Sequence, residues 1–126
     1  EHVIAEEVEK SLEKTIEKYT AQINEFHVSP QVSPENGLPY HEWLIEFESQ
    51  PENLALFTKA LNDELQNLNS YYKDLITGGI LKPLQITIIL KNGFRNYMKS
   101  IGKLGGQNKV PRLANDRKIA DKLKVF

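Results

Sequence analysis

The sequence has no cysteine. That excludes disulfides and thiolate chemistry, and it fits a reducing cytoplasm. No apolar run approaches the roughly 20 residues that a membrane-spanning helix needs, so no membrane partner is expected. The opening Glu-His-Val-Ile-Ala-Glu-Glu is acidic and helical in character, which is not the pattern of a signal peptide. Internal repeats and low-complexity segments are also missing. The most informative absence is local. From Leu75 to Asn115 there is no Asp or Glu, yet the stretch carries Lys82, Lys91, Arg95, Lys99, Lys103, Lys109 and Arg112.

What is present is ordinary in bulk. The 126 residues, 40% hydrophobic and 26% charged, suffice for a single domain with a modest core. The net charge of −1 conceals a split: residues 1–74 sum to −10 and residues 75–126 to +9. Such a chain has one acidic and one basic face, or helices that pair with each other. It does not have the net positive charge usual in a non-specific nucleic-acid binder.

Apolar periodicity predicts an amphipathic helix over residues 5–19, with Val8, Leu12, Ile16 and Tyr19 on one side. Ile23, Phe26 and Val28 read as a strand ending near Pro30. A Pro- and Gly-punctuated loop follows it. Over residues 40–48, Trp43, Ile45 and Phe47 alternate with Glu42, Leu44, Glu46 and Glu48. This is the pattern of a strand with one buried face and an exposed acidic one. Residues 52–69 form a second helix, and residues 70–82 read as irregular. Leu84 to Leu90 is almost entirely apolar or β-branched, as in a central strand covered on both sides. Asn92 is placed to cap a third helix with Phe94, Tyr97, Met98 and Ile101 facing inward, and a short helix starts at Asn115. The fold class is therefore α+β. A small, mostly antiparallel sheet of three to four strands is packed with three to four helices.

Residues 102–112 read Gly-Lys-Leu-Gly-Gly-Gln-Asn-Lys-Val-Pro-Arg. The glycines admit turns closed to other residues, and Pro111 stiffens the backbone between two cations. Counting from Gly102 puts Asn108 where a phosphate-binding P-loop needs lysine, and the glycine spacing is also wrong for a dinucleotide fingerprint. A solvated connection between helices and a loop that meets an anion both remain open on pattern alone.

Other chemistry is sparse. His2, His27 and His41 share no metal-ligand spacing with each other or with an acid. His27 and His41 lie on the two hairpin strands and read as a surface pair. No nucleophile-elbow pattern occurs. No self-contained active site is legible.

The segment Tyr40–Phe47, the helix after it, the apolar strand Leu84–Leu90 and the run Gly105-Gly106-Gln107-Asn108-Lys109-Val110-Pro111-Arg112 together resemble one family. They are similar, over nearly the whole chain, to the C-terminal domain of the auxin-responsive (Gretchen Hagen) acyl-acid-amido synthetases, in the bacterial branch. These belong to the firefly-luciferase-like adenylating superfamily. The resemblance implies that residues 1–126 are a single lid domain, with Glu1 just past a hinge to a large N-terminal adenylating domain. It further implies a ligase that uses ATP and Mg²⁺ to adenylate a carboxylic acid and then joins the acyl group to an amino acid. Neither ATP nor Mg²⁺ is expected on this domain alone, which would be inactive by itself. Lys109 matches the family's motif lysine and would be the catalytic cation. Arg112 would be a second phosphate or interdomain contact, and Gly105, Gly106 and Gln107 would shape the loop. Plant members carry an aromatic-containing Asn-Gln-Tyr-Lys-Val-Pro-Arg-like run. The different run here leaves the acyl acid and the amino acid open. The rival expectation is a stand-alone α+β module whose basic C-terminal half docks an acidic protein or a nucleic acid.

Overall fold

The computed structural model describes residues 3–32, 37–103, 105 and 109–126. Its first element, α1 (Ala5–Lys18), turns Val8 and Leu12 inward. Ser11 and Thr15 are buried with them, and each hydroxyl donates to a backbone carbonyl of its own helix. That satisfies both at little cost. Strands β1 (Gln22–Gln31) and β2 (Tyr40–Ser49) then pair antiparallel, with Val28 opposite Trp43 and Phe26 opposite Ile45.

The chain next crosses over through two helices, α2 (Leu54–Leu68) and α3 (Ser70–Thr77). A crossover of this kind is what a parallel pairing requires. It delivers β3 (Gln85–Ile88) parallel to β2, with Trp43 beside Ile86. Helices α4 (Gly93–Ser100) and α5 (Lys118–Leu123) complete the order.

The α+β class stands, and the sheet is mixed: a long antiparallel ladder plus a four-residue parallel one, in the order β1-β2-β3. The central strand is β2, not the apolar run 84–90. Trp43, Leu44 and Ile45 are all fully buried. By contrast Ile88 is 37% exposed and Leu90 71% exposed at the open edge. An apolar run marks affinity for a core. It does not say which strand the crossover will put in the middle.

Two cores lie on the two faces of β2. Trp43, Ile45 and Phe47 pack with Phe26, Val28, α1, α2 and Tyr72. Leu44 packs on the other side with Phe94, Tyr97 and Met98 of α4, Val110, and Ala120 and Leu123 of α5. Ile101, expected to face inward, is 40% exposed. Helix α5 begins at Lys118 rather than at Asn115.

The five helices include one, α3, in the stretch read as irregular. Its cause is a single side chain. Asn69 ends α2, and its Oδ1 accepts from the Tyr72 backbone N–H at 2.7 Å, capping a new helix immediately. The same residue donates to Glu7 Oε1 at 3.0 Å, tying the junction to the start of α1. The new helix buries Tyr72, whose hydroxyl donates to Asn62 Oδ1. Substituting Asn69→Ala removes the cap, and the unfolding free energy is expected to fall by about 1–2 kcal/mol. Urea denaturation checks this; an unchanged midpoint would mean that the junction is held by other contacts.

Candidate functional site

The alternation on β2 places Glu42, Leu44, Glu46 and Glu48 on the face opposite Trp43. Sequence patterning assigns that face to solvent. In the structure α4 and α5 cover it, so Glu42 is 2% exposed and Glu46 5% exposed. A buried carboxylate must be paired or hydrogen-bonded. Each glutamate on this face takes partners from the C-terminal half of the chain, and Glu46 and Glu48 also accept from Asn24 Nδ2 of β1, at 3.1 Å and 3.2 Å. The Glu42 carboxylate accepts from Thr87 Oγ1 and lies 2.8 Å from Arg117 Nη2 and 2.9 Å from Lys124 Nζ. Glu46 accepts from the backbone N–H groups of Asn92 at 3.1 Å and Phe94 at 3.3 Å. It thereby caps α4. Asn92, expected to cap that helix itself, makes no capping bond through its side chain and adopts a left-handed φ of 70°. At the rim, Glu48 pairs with Lys91 at 3.0 Å, which holds its pKa below the ordinary carboxylate value.

Arg117 is the hub of this arrangement and was not singled out by any motif. Besides Glu42 it pairs with Asp121 at 2.8 Å, and it donates to Ser29 Oγ and the Pro30 carbonyl. Burial alone would raise the Glu42 pKa. The bonds from Thr87, Lys124 and Arg117 together outweigh it and hold the carboxyl below its ordinary value.

Beside this clamp the motif run lies against β1. Val110 is buried in the second core. The Pro111 carbonyl accepts from His27 Nδ1 at 2.6 Å. The Arg112 carbonyl accepts from the Val28 N–H, and the Ala114 N–H donates to the Val28 carbonyl, each at 2.9 Å. Leu113 therefore extends the outer edge of β1 by one parallel bridge. The pairing uses the carbonyl of 112 and the N–H of 114, the two groups that flank the bridge residue Leu113. Arg112 lies along the strand, with Nε 3.1 Å from Glu25 Oε1 and its guanidinium carbon 4.6 Å from the Phe26 ring centroid.

Lys109 stands just before this docked stretch, exposed and without an ion-pair partner among the described residues. Gly105 is exposed with φ at 90°, a conformation that favours glycine. Gly106 and Gln107 lie outside the described residues. The expected surface pair of histidines does not form. His27 is opposite Leu44 and His41 opposite Pro30, and both are buried. Burial, with the nearby Arg117 charge added, lowers the His27 pKa despite the opposing effect of the Pro111 bond. His41 packs against Tyr72, ring centroids 5.0 Å apart. An open groove of about 640 Å³ runs beside the docked stretch, lined in part by Val28, Ser29, Leu113 and Asn115. Among the described residues, no group of three or more His, Asp or Glu side chains could hold a metal ion. Nor is any helix long and apolar enough to cross a membrane.

The model of the GH3 family C-terminal domain matches residues 6–118. The chain belongs to the GH3 family. The matched span takes in both sheet pairings, the docked motif run and Arg117. Two solved structures share the fold of this GH3 domain. One is a GH3.15 acyl acid amido synthetase, with a TM-score of 0.73 and 16% identity over 94% of this chain. The other is AtGH3.15 acyl acid amido synthetase in complex with 2,4-DB, with a TM-score of 0.77 and 13% identity over 99% of this chain. The GH3 domain spans only 23% and 24% of those two chains. No curated protein matches it.

The Glu42 clamp makes a signed prediction for the GH3 domain. Because the folded pKa lies below the ordinary 4.5, the clamp's contribution is complete above that value and is lost as pH falls through the lower, folded one. Substituting Glu42→Gln leaves Arg117 and Lys124 facing a neutral amide and should cost about 3 kcal/mol near neutral pH. It should also flatten the loss of stability in acid. Urea midpoints measured across a pH series test both. An acid slope equal to that of the wild type would exclude Glu42 as its source.

Proposed function

We propose that this domain is the lid of an ATP-dependent ligase, one that adenylates a carboxylic acid and conjugates the acyl group to an amino acid. The active enzyme would include a large N-terminal adenylating domain of the same chain. Membership of the GH3 family and a shared fold with acyl acid amido synthetases support the class of reaction. The observation that carries the reading is Lys109: an exposed cation, unpaired among the described residues, set just before the docked Val-Pro-Arg run in a stretch free of acids.

In the first step a carboxylate oxygen attacks the α-phosphorus of ATP, and pyrophosphate leaves. Two anions must approach, and negative charge builds on the phosphoryl oxygens. A cation aimed there lowers that barrier more than it stabilises the separated reactants. Lys109 supplies this charge. In the second step the amine attacks the acyl carbon, AMP leaves and the amide forms. Mg²⁺ would travel with the triphosphate and the larger domain.

Because residues 110–114 are fastened to β1 and to the second core, Lys109 reaches the site chiefly by movement of the whole lid. Arg112 serves that fastening through Glu25 and Phe26, and it reaches phosphate only if it leaves them. The run before Lys109 lacks the plant aromatic, which supports assignment to the bacterial branch. The rival reading, a basic docking module, is weakened because Lys91, Arg112, Arg117 and Lys124 are all paired within the fold.

In the full-length enzyme, Lys109→Ala is expected to slow acid-dependent ATP–pyrophosphate exchange by about 10²–10³. The unfolding midpoint should be unchanged, since the side chain is exposed. Normal exchange in a folded Lys109→Ala enzyme would overturn the assignment.

A further inference from the structure

We propose that His27 is a positioning residue for Lys109: its imidazole fixes the backbone of the motif run so that the lysine is presented in one place. The inference rests on the role given to Lys109 above. Consecutive residues of β1 grip this run. Glu25 and Phe26 hold the Arg112 side chain, Val28 pairs with the backbone at Arg112 and Ala114, and His27 takes the Pro111 carbonyl. Of these contacts, the His27 bond is the one nearest Lys109. Val110, between them, is locked into the second core by its side chain.

The chemistry of the imidazole is informative. His27 is fully buried, and its other ring nitrogen, Nε2, has no hydrogen-bond partner among the described residues. A buried polar ring with one unsatisfied nitrogen is a poor way to fill a core. An apolar side chain would avoid that desolvation cost. What the imidazole offers is a directional donor. Nδ1–H points at a carbonyl 2.6 Å away, in the one residue of the run that has no N–H with which to pair to the strand. Without this bond the Pro111 peptide could rotate, and the lysine two residues earlier would sample several positions. A displacement on the order of 1 Å in a group that acts in the transition state costs up to about 10² in rate.

Two substitutions separate donor position from bulk. His27→Asn keeps an amide N–H near the place of Nδ1, whereas His27→Gln moves it out toward the place of Nε2. In the full-length enzyme, His27→Gln should lower kcat for pyrophosphate exchange by roughly tenfold or more while KM for ATP changes little. His27→Asn should recover most of that loss. In a Lys109→Ala background, His27→Gln should have almost no further effect, because the group it positions is gone. Three results would overturn the proposal: full activity of His27→Gln, an equal loss with and without Lys109, or an Asn variant no better than the Gln variant. If Lys109→Ala itself leaves exchange unchanged, the lid reading falls and this inference with it. If Lys109→Ala slows exchange and His27→Gln does not, only the assignment of His27 falls.

Discussion

The acidic face of β2 has to be neutralised where it is buried, and the C-terminal half of the domain is organised around that requirement. Glu42 and Glu46 sit at the centre of the sheet with almost no access to water. An unpaired carboxylate there would cost several kcal/mol. The chain meets the need in two ways. For Glu46 it turns the N-terminus of α4 toward the carboxylate, so that backbone N–H groups and the helix dipole supply the positive end. For Glu42 it brings Arg117 and Lys124 from either end of α5, together with the Thr87 hydroxyl of β3. Leu44 between them provides the apolar contact on which α4 and α5 close.

The charge split of the chain follows from the same constraint. An acidic first half and a basic second half would repel within themselves and attract each other. Much of that attraction is used inside the fold, at Glu25–Arg112, Glu42–Arg117, Glu42–Lys124 and Glu48–Lys91. The exposed Glu48–Lys91 pair contributes little, because solvent screens it. The Glu42 cluster is different: its carboxylate is cut off from water, and breaking it leaves uncompensated charge. Lys109 has no such partner among the described residues.

The clamp also links stability to the motif run. Arg117 reaches from Glu42 to Ser29 and Pro30 on β1, and the docked stretch lies on β1 only a few residues away. Glu25, Phe26, His27 and Val28 fasten its other side. The sense of such a mount is mechanical. In the proposed lid, a cation on a short tether to a rigid body is held in place better than one on a long tether.

Much of this domain was legible without coordinates. The 3.6-residue stripe in α1, the alternation of Trp43, Ile45 and Phe47, and the acid-free stretch ending in Lys-Val-Pro-Arg are local patterns, and local patterns identify helices, strands and a candidate cation. The same local rules misread Glu42 and Glu46 as solvent-facing and residues 70–82 as irregular, and they placed Leu84–Leu90 at the centre of the sheet. Each error has one source. Periodicity reports what a residue would prefer, and it does not report which neighbours the topology brings. The amino-acid sequence by itself determined the α+β class, the helices and strands other than α3, and the place of Lys109 in a stretch free of acids. Only the tertiary structure decided that β2 is central, that its acids are buried against Arg117, Lys124 and α4, and that His27 meets Pro111. Those contacts join residues far apart along the chain, and their energies exist only once the backbone has brought them within a few ångströms.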